Sequence, residues 1–178
     1  MHAFAYHAAR SLEDAVQRLR QDTGARPLAG GMTLIPSLKH RLARVSELVD
    51  LSALPELRTV QVHADHVQVG AMCCHQELAD SQDLAQALPG LARLAGLIGD
   101  PQVRVRGTLG GSVANNDPAA DYPAAVLALD AMLLTDRREI AAADFFQGMF
   151  STALAPDELL VAVRFRRARR SAYAKFRQ

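Results

Sequence analysis

Two short glycine-rich stretches carry the residue types best able to hold a ligand. Ala29-Gly30-Gly31-Met32-Thr33-Leu34 sets paired glycines and a hydroxyl ahead of a helical pattern. A backbone without Cβ atoms can approach a phosphate closely, and amides at a helix start converge on negative charge. The second stretch, from Thr108-Leu109-Gly110-Gly111-Ser112 through Asn115, Asn116 and Asp117 to Asp121, crowds hydroxyls, amides and two carboxylates. It offers donors to phosphate, and Asp121 offers an acceptor to sugar hydroxyls. Two such stretches suit one long dinucleotide. Each also has a plain alternative, because Gly-Gly is ordinary punctuation between a strand and a helix, and Asn and Asp make turns and caps. Gly-x-Gly-x-x-Gly and Gly-x-x-x-x-Gly-Lys-Ser/Thr are both missing from the sequence, which disfavours a doubly wound nucleotide-binding fold.

Other chemistries find little support. The six histidines, His2, His7, His40, His63, His66 and His75, fall into no metal-ligand spacing and read as surface or packing residues. No Gly-x-Ser-x-Gly elbow nominates a nucleophile, so a hydrolase is disfavoured and no catalytic side chain is assigned. Cys73 and Cys74 are adjacent, whereas an iron–sulfur cluster needs about four spaced thiolates, so they read as small buried residues. Twenty basic and 19 acidic residues leave a formal charge of +1, no field for nucleic acid or an anionic membrane. No apolar run approaches the roughly 20 residues of a spanning helix, and the first residues lack a signal-peptide layout, so a cytoplasmic protein is expected. The dense run Arg166 to Arg170 reads as a solvated loop.

The elements that must position the two stretches follow from periodicity. Ser11-Leu12-Glu13-Asp14 reads as a capping box, and Leu12, Ala15, Val16 and Leu19 continue a helix towards Gly24. Pro27 to Ala29 reads as a strand, Leu34 to Leu42 as a helix, and Glu47 to Asp50 as another strand. Thr59 to Val62 and His66 to Val69 alternate around Ala64-Asp65 as a hairpin. Gln76 to Ile98 reads as two helices split at Pro89-Gly90, followed from Asp100 by an alternating segment that turns into the second glycine stretch, a loop. A helix to Leu129, a strand over Met132 to Thr135, a helix near Asp144 to Phe146, a strand over Leu159 to Phe165 and an extended end over Ala172 to Phe176 complete the pattern.

Arg26-Pro27-Leu28-Ala29-Gly30-Gly31-Met32-Thr33-Leu34-Ile35-Pro36, Leu48-Val49-Asp50-Leu51, Val69-Gly70-Ala71-Met72, Asp100 to Arg104 with Arg106 to Gly111, and Ala114 to Asp121 occur in an order and spacing that resemble the FAD-binding subunits of molybdenum hydroxylases of the carbon monoxide/xanthine dehydrogenase type. The resemblance implies an α+β, PCMH-type FAD-binding fold, with a small N-terminal βαβ-type subdomain (1–57) and a larger subdomain with an antiparallel sheet and flanking helices (58–178). It implies FAD, with the pyrophosphate at Ala29, Gly30, Gly31, Met32 and Thr33, beside Leu34, and at Thr108, Leu109, Gly110, Gly111 and Ser112. It places Ile98 near the adenine, Asn115 and Asp121 along the diphosphate–ribityl portion, Leu160 near the flavin ring, and Lys175, or alternatively Arg177, close to the flavin. Molybdopterin and [2Fe-2S] clusters would reside in large and small partner subunits, as in a dimer of heterotrimers. Electrons would pass through FAD to a terminal acceptor. The family continues into a C-terminal domain not seen in these 178 residues, so weakened FAD retention is expected. A stand-alone PCMH-type flavin oxidoreductase and a non-flavinated assembly module are the alternatives.

Overall fold

A computed structural model describes residues 1–176; Arg177 lies outside the described residues. The N-terminal part runs β1 (Ala5–Ala8), α1 (Leu12–Gln21), β2 (Arg26–Leu28), α2 (Leu34–Lys39), β3 (Glu47–Asp50). The strands form a parallel sheet in the order β1-β3-β2, with Leu48 opposite both Tyr6 and Arg26. Helix α1 starts where the Ser11 side chain accepts the Asp14 amide at 3.1 Å, and it buries Ala15, Val16 and Leu19. The return half of the expected capping box is not made, because the Asp14 carboxylate takes the amide of Arg10 and the His7 ring instead. Helix α2 ends earlier than its pattern suggests. Arg41 adopts φ +60° there, and the amides of Arg41 and Leu42 close back on the carbonyls of Leu38 and Ser37. This is the two-bond Schellman closure, at a position where a residue bearing a Cβ costs roughly 1–2 kcal/mol.

After a 3₁₀ turn over Pro55–Leu57, the larger part runs β4 (Val60–Val62), β5 (His66–Gly70), α3 (His75–Asp80), α4 (Gln82–Ala87), α5 (Pro89–Gly96), α6 (Pro101–Arg104), α7 (Leu109–Asn115), α8 (Tyr122–Ala128), β6 (Met132–Thr135), β7 (Glu139–Ala141), α9 (Ala142–Phe145), β8 (Phe146–Gly148), β9 (Ser151–Thr152) and β10 (Leu160–Arg166). Strand β10 lies at the centre of an antiparallel sheet, β4-β5-β10-β6-β7, with Val163 between Val69 and Leu133. All three valine and leucine side chains are fully buried. They pack in one core with Leu78, Leu84, Leu88, Leu91, Leu109, Val113 and Tyr122 from the helices. A second core joins α1 and β3 to Leu57, Met72 and Leu159, tying the two sheets together.

The mixed α/β architecture with its antiparallel sheet matches the expected fold class, while several local expectations change. Gln76 to Ile98 holds three helices, not two, because Ser81 ends one helix and caps the next by accepting the Leu84 amide. Pro101–Arg104 forms a helical turn capped by Asp100, where alternation suggested an extended segment. The second glycine stretch is not a loop: Thr108 accepts the Gly111 amide at 3.0 Å and starts α7. Residues 171–176 form no strand. They lie along α5, with the Gly90 amide donating to Ser171 Oγ and Arg93 Nε to the Tyr173 carbonyl.

Candidate dinucleotide-binding cleft

A cleft of about 600 Å³ is lined on one side by 26–34, Ser37, Ala43 and Leu51, and on the other by side chains from α3, α7 and the start of β10. Its size lies within the range of roughly 300–1,000 Å³ usual for ligand sites. Of the residues singled out in the sequence, Ala29, Gly30, Gly31, Met32, Thr33, Leu34, Ile98, Thr108, Gly110, Gly111, Ser112, Asn115 and Leu160 line it. Three stand outside the lining. Leu109 is fully buried in the main core. Asp121 and Lys175 are bonded to one another, Lys175 Nζ lying 2.8 Å from the Asp121 carboxylate, which also accepts from Tyr173 Oη. Burial and the Asp121 carboxylate push the Tyr173 phenol up to about 12.

The two glycine stretches differ in what their backbones offer. Among the described residues, the amides of Gly30, Gly31, Met32, Thr33 and Leu34 have no protein acceptor. In the second stretch every amide from Leu109 to Ser112 is already used. Leu109 donates to the Cys73 carbonyl, Gly110 to that of Ala71, Gly111 to Thr108 Oγ1 and Ser112 to the Thr108 carbonyl, at 2.8–3.1 Å. Anion-ready donors therefore come from the first stretch, and the second supplies close packing, hydroxyls and small side chains. Its glycines serve that packing. A Cβ on Gly110 would lie 2.5 Å from Ala71 Cβ, and one on Gly111 would lie 3.5 Å from Ala29 Cβ. Gly30 is pressed against the backbone of Arg106 and Gly107, and Gly31 takes φ +74°.

Several lining residues carry no sequence signal and arrive through tertiary packing. His75 is 4% exposed, with Nδ1 3.3 Å from Tyr122 Oη and its ring against Gly107. Burial, with a smaller contribution from Arg104, lowers its pKa to about 4, so the cleft meets a neutral imidazole at pH 7. Glu158 also lines the cleft, but its carboxylate is engaged by Arg138 Nε and Nη2, Thr135 Oγ1 and the Ala155 amide. The Arg138 pair holds it down at about 2. Met72, Ile98, Val103, Leu154, Leu159 and Leu160 give the remaining wall its apolar character.

Residues 2–166 match the model of a family described as the FAD binding domain in molybdopterin dehydrogenase. The chain belongs to this family. It is 43% identical to the carbon monoxide dehydrogenase medium chain of Afipia carboxidovorans over 91% of its length, and 38% identical to the nicotine 6-hydroxylase medium subunit of Paenarthrobacter nicotinovorans over 90%. It spans 58% of the length of each of those proteins. The solved structure of quinoline 2-oxidoreductase from Pseudomonas putida superposes with a TM-score of 0.92 at 35% identity, covering 94% of this chain and 60% of that one.

The cleft fits the cofactor that the family name specifies. Five consecutive unpartnered amides suit a diphosphate, and the apolar wall suits flat rings. Nothing competes for the site as a metal centre, since no group of three or more His, Cys, Asp or Glu side chains could hold an ion among the described residues. No helix among them is long and apolar enough to cross a membrane. Both thiols are buried, and burial pushes Cys73 up to about 12, away from thiolate chemistry.

Proposed function

We propose that this chain is the FAD-binding portion of the flavoprotein subunit of a molybdenum-containing hydroxylase or dehydrogenase. In this reading it relays electrons from iron–sulfur clusters in a small partner subunit to a terminal acceptor, while a large subunit carries the molybdopterin. The carrying observation is the row of unpartnered amides from Gly30 to Leu34 in residues that line a cleft walled largely by apolar side chains. FAD, when bound, supplies the electron-transfer chemistry.

The chain's own residues bind, orient and exclude water. The amides of Gly30 to Leu34 receive the diphosphate at the start of α2, and Ser112 and Asn115 add polar contacts along the same strip. Ile98 and Val103 at one part of the wall, and Leu154 and Leu160 at another, take the ring systems. His75, neutral and hydrogen-bonded to Tyr122, fixes the Gly107 turn that seats the first stretch. Asp121, Lys175 and Tyr173 form a bonded group beside the cleft that holds residues 171–175 in place. The break near residue 57 divides a first FAD-binding subdomain, 1–57, from a second that begins at residue 58. A cytoplasmic setting agrees with two buried, unpaired thiols.

The relatives are named for carbon monoxide, nicotine and quinoline, so substrate choice is assigned to the large partner rather than to this chain. Isolation of the chain with its native partners tests the reading. Stoichiometric FAD together with molybdenum and iron is expected. A flavin-containing chain without either metal would favour a solitary flavin oxidoreductase.

A further inference from the structure

Lys39, His40, Arg41, Leu42 and Arg44 are all exposed, and the stretch from 39 to 44 contains no acidic residue. Some basic side chains elsewhere pair with carboxylates, as Arg58 does with Glu77, Arg138 with Glu158 and Arg164 with Glu139, while others, Arg106 and Arg169 among them, do not. Among the described residues Lys39, Arg41 and Arg44 form no ion pair. The dipole of α2 accounts for a cation in its last turn, which is Lys39, but not for Arg41 and Arg44 beyond it.

Two local departures from what the backbone would favour coincide here. Arg41 occupies the φ +60° position of the Schellman closure, which favours glycine. The residue that follows commonly packs back onto its helix, yet Leu42 stands 82% exposed. One segment thus holds a cation and a large apolar side chain outward at positions where local stability prefers neither. Ser37 and Ala43, from the same turn, line the cleft, so this surface is continuous with the cleft rim. The basic run Arg166 to Arg170 differs in that none of it lines the cleft, no large apolar side chain interrupts it, and Arg167 is bonded to the carbonyls of His63 and Ala64.

We infer that residues 39–44 form a docking surface for a protein that presents carboxylates around an apolar contact. Guanidinium groups pair with carboxylates in a planar, two-point fashion, and an apolar anchor inside a charged rim is the usual anatomy of a protein interface. An anionic membrane is the weaker match, because a single leucine buries little apolar area in a bilayer. The cleft lies next to this surface, so a partner docked on it sits beside the bound dinucleotide.

The test uses fluorescently labelled poly-L-glutamate, a random glutamate–tyrosine copolymer, and phosphatidylserine vesicles as probes of the full chain. Binding to both polymers is expected, weakening as salt rises. Arg41→Glu with Arg44→Glu should lower both affinities by about tenfold or more. Leu42→Ser should weaken the copolymer by about threefold and leave poly-L-glutamate unchanged. Arg41→Gly, which relieves the backbone, should raise the thermal midpoint by about 2–4 °C while weakening polymer binding. An equal loss from Arg169→Glu with Arg170→Glu would reduce the effect to net charge and overturn the inference. So would retention of polymer binding in the Arg41/Arg44 reversal, or binding to vesicles without binding to either polymer.

Discussion

A β-carbon on Gly30 would stand 1.9 Å from the Arg106 carbonyl oxygen, and backbone on both sides of that contact leaves little room to yield. Gly30→Ala should therefore separate the first glycine stretch from the Arg106–Gly107 turn. A cost of about 1–3 kcal/mol in denaturant unfolding and at least a tenfold loss of FAD affinity are expected. Gly31→Ala meets a different obstacle, φ +74°, and should cost roughly 1–2 kcal/mol through the backbone. His75 makes a prediction in pH. Its folded pKa of about 4 lies below the ordinary 6.5, so between those values the unfolded chain binds a proton there that the folded chain does not. Stability then falls as pH falls through that window, by up to on the order of 3 kcal/mol, and levels once the folded ring protonates. Unfolding midpoints measured from pH 7 to pH 4 should show this slope, and His75→Asn should flatten it. The paired glycines were legible in the sequence because their type is itself unusual. His75 was not, because a histidine's burial against Tyr122 is set by tertiary packing and leaves no local pattern.

Helix α7 and the β8–β9 hairpin depend on one side chain. Asn116, at φ 45°, ends α7, and its Nδ2 donates to the carbonyls of Gly148 and Ser151 at 2.7 and 2.8 Å. Asn116→Gly keeps the left-handed conformation without a Cβ but deletes both bonds, so a net loss of about 1–2 kcal/mol is expected. Asn116→Ala should cost more, since it loses the bonds and keeps the backbone strain. Hydrogen exchange at Phe150, whose amide donates to the Asn116 carbonyl, should quicken in both variants. Long periodic elements, such as α1 and β10, were readable because their buried faces repeat. The break at Ser81 was missed because Leu78, Ala85, Leu88 and Ala92 keep a helical spacing across it. Strand β1 was missed for the opposite reason. Ala5, Tyr6 and Ala8 are exposed at a sheet edge, so the strand shows no alternation. The second glycine stretch misled by composition, since Thr108 and Gly111 close a helix cap that glycine content alone reads as a loop.

Across the whole molecule, the two sheets meet through a shared core of α1, β3, Leu57, Met72 and Leu159, and the cleft opens where the Gly30 to Leu34 stretch faces α7 and the start of β10. In the proposed reading most of the affinity for FAD comes from its diphosphate, held by the amides of the first stretch, with the rings contributing apolar burial. In the sequence the two stretches suit one dinucleotide, each with a plain structural alternative. The sequence could not show that the amides of Leu109 to Ser112 are used within the protein, because that depends on where the carbonyls of Ala71 and Cys73 fall. The most direct test of the central claim is a calorimetric titration of the flavin-free chain with FAD, ADP and riboflavin. The account predicts one FAD per chain, displacement of FAD by ADP, riboflavin binding weaker by about a hundredfold or more, and loss of the FAD preference in Gly30→Ala. Equal affinity for FAD and riboflavin, or an unchanged preference in Gly30→Ala, would contradict it.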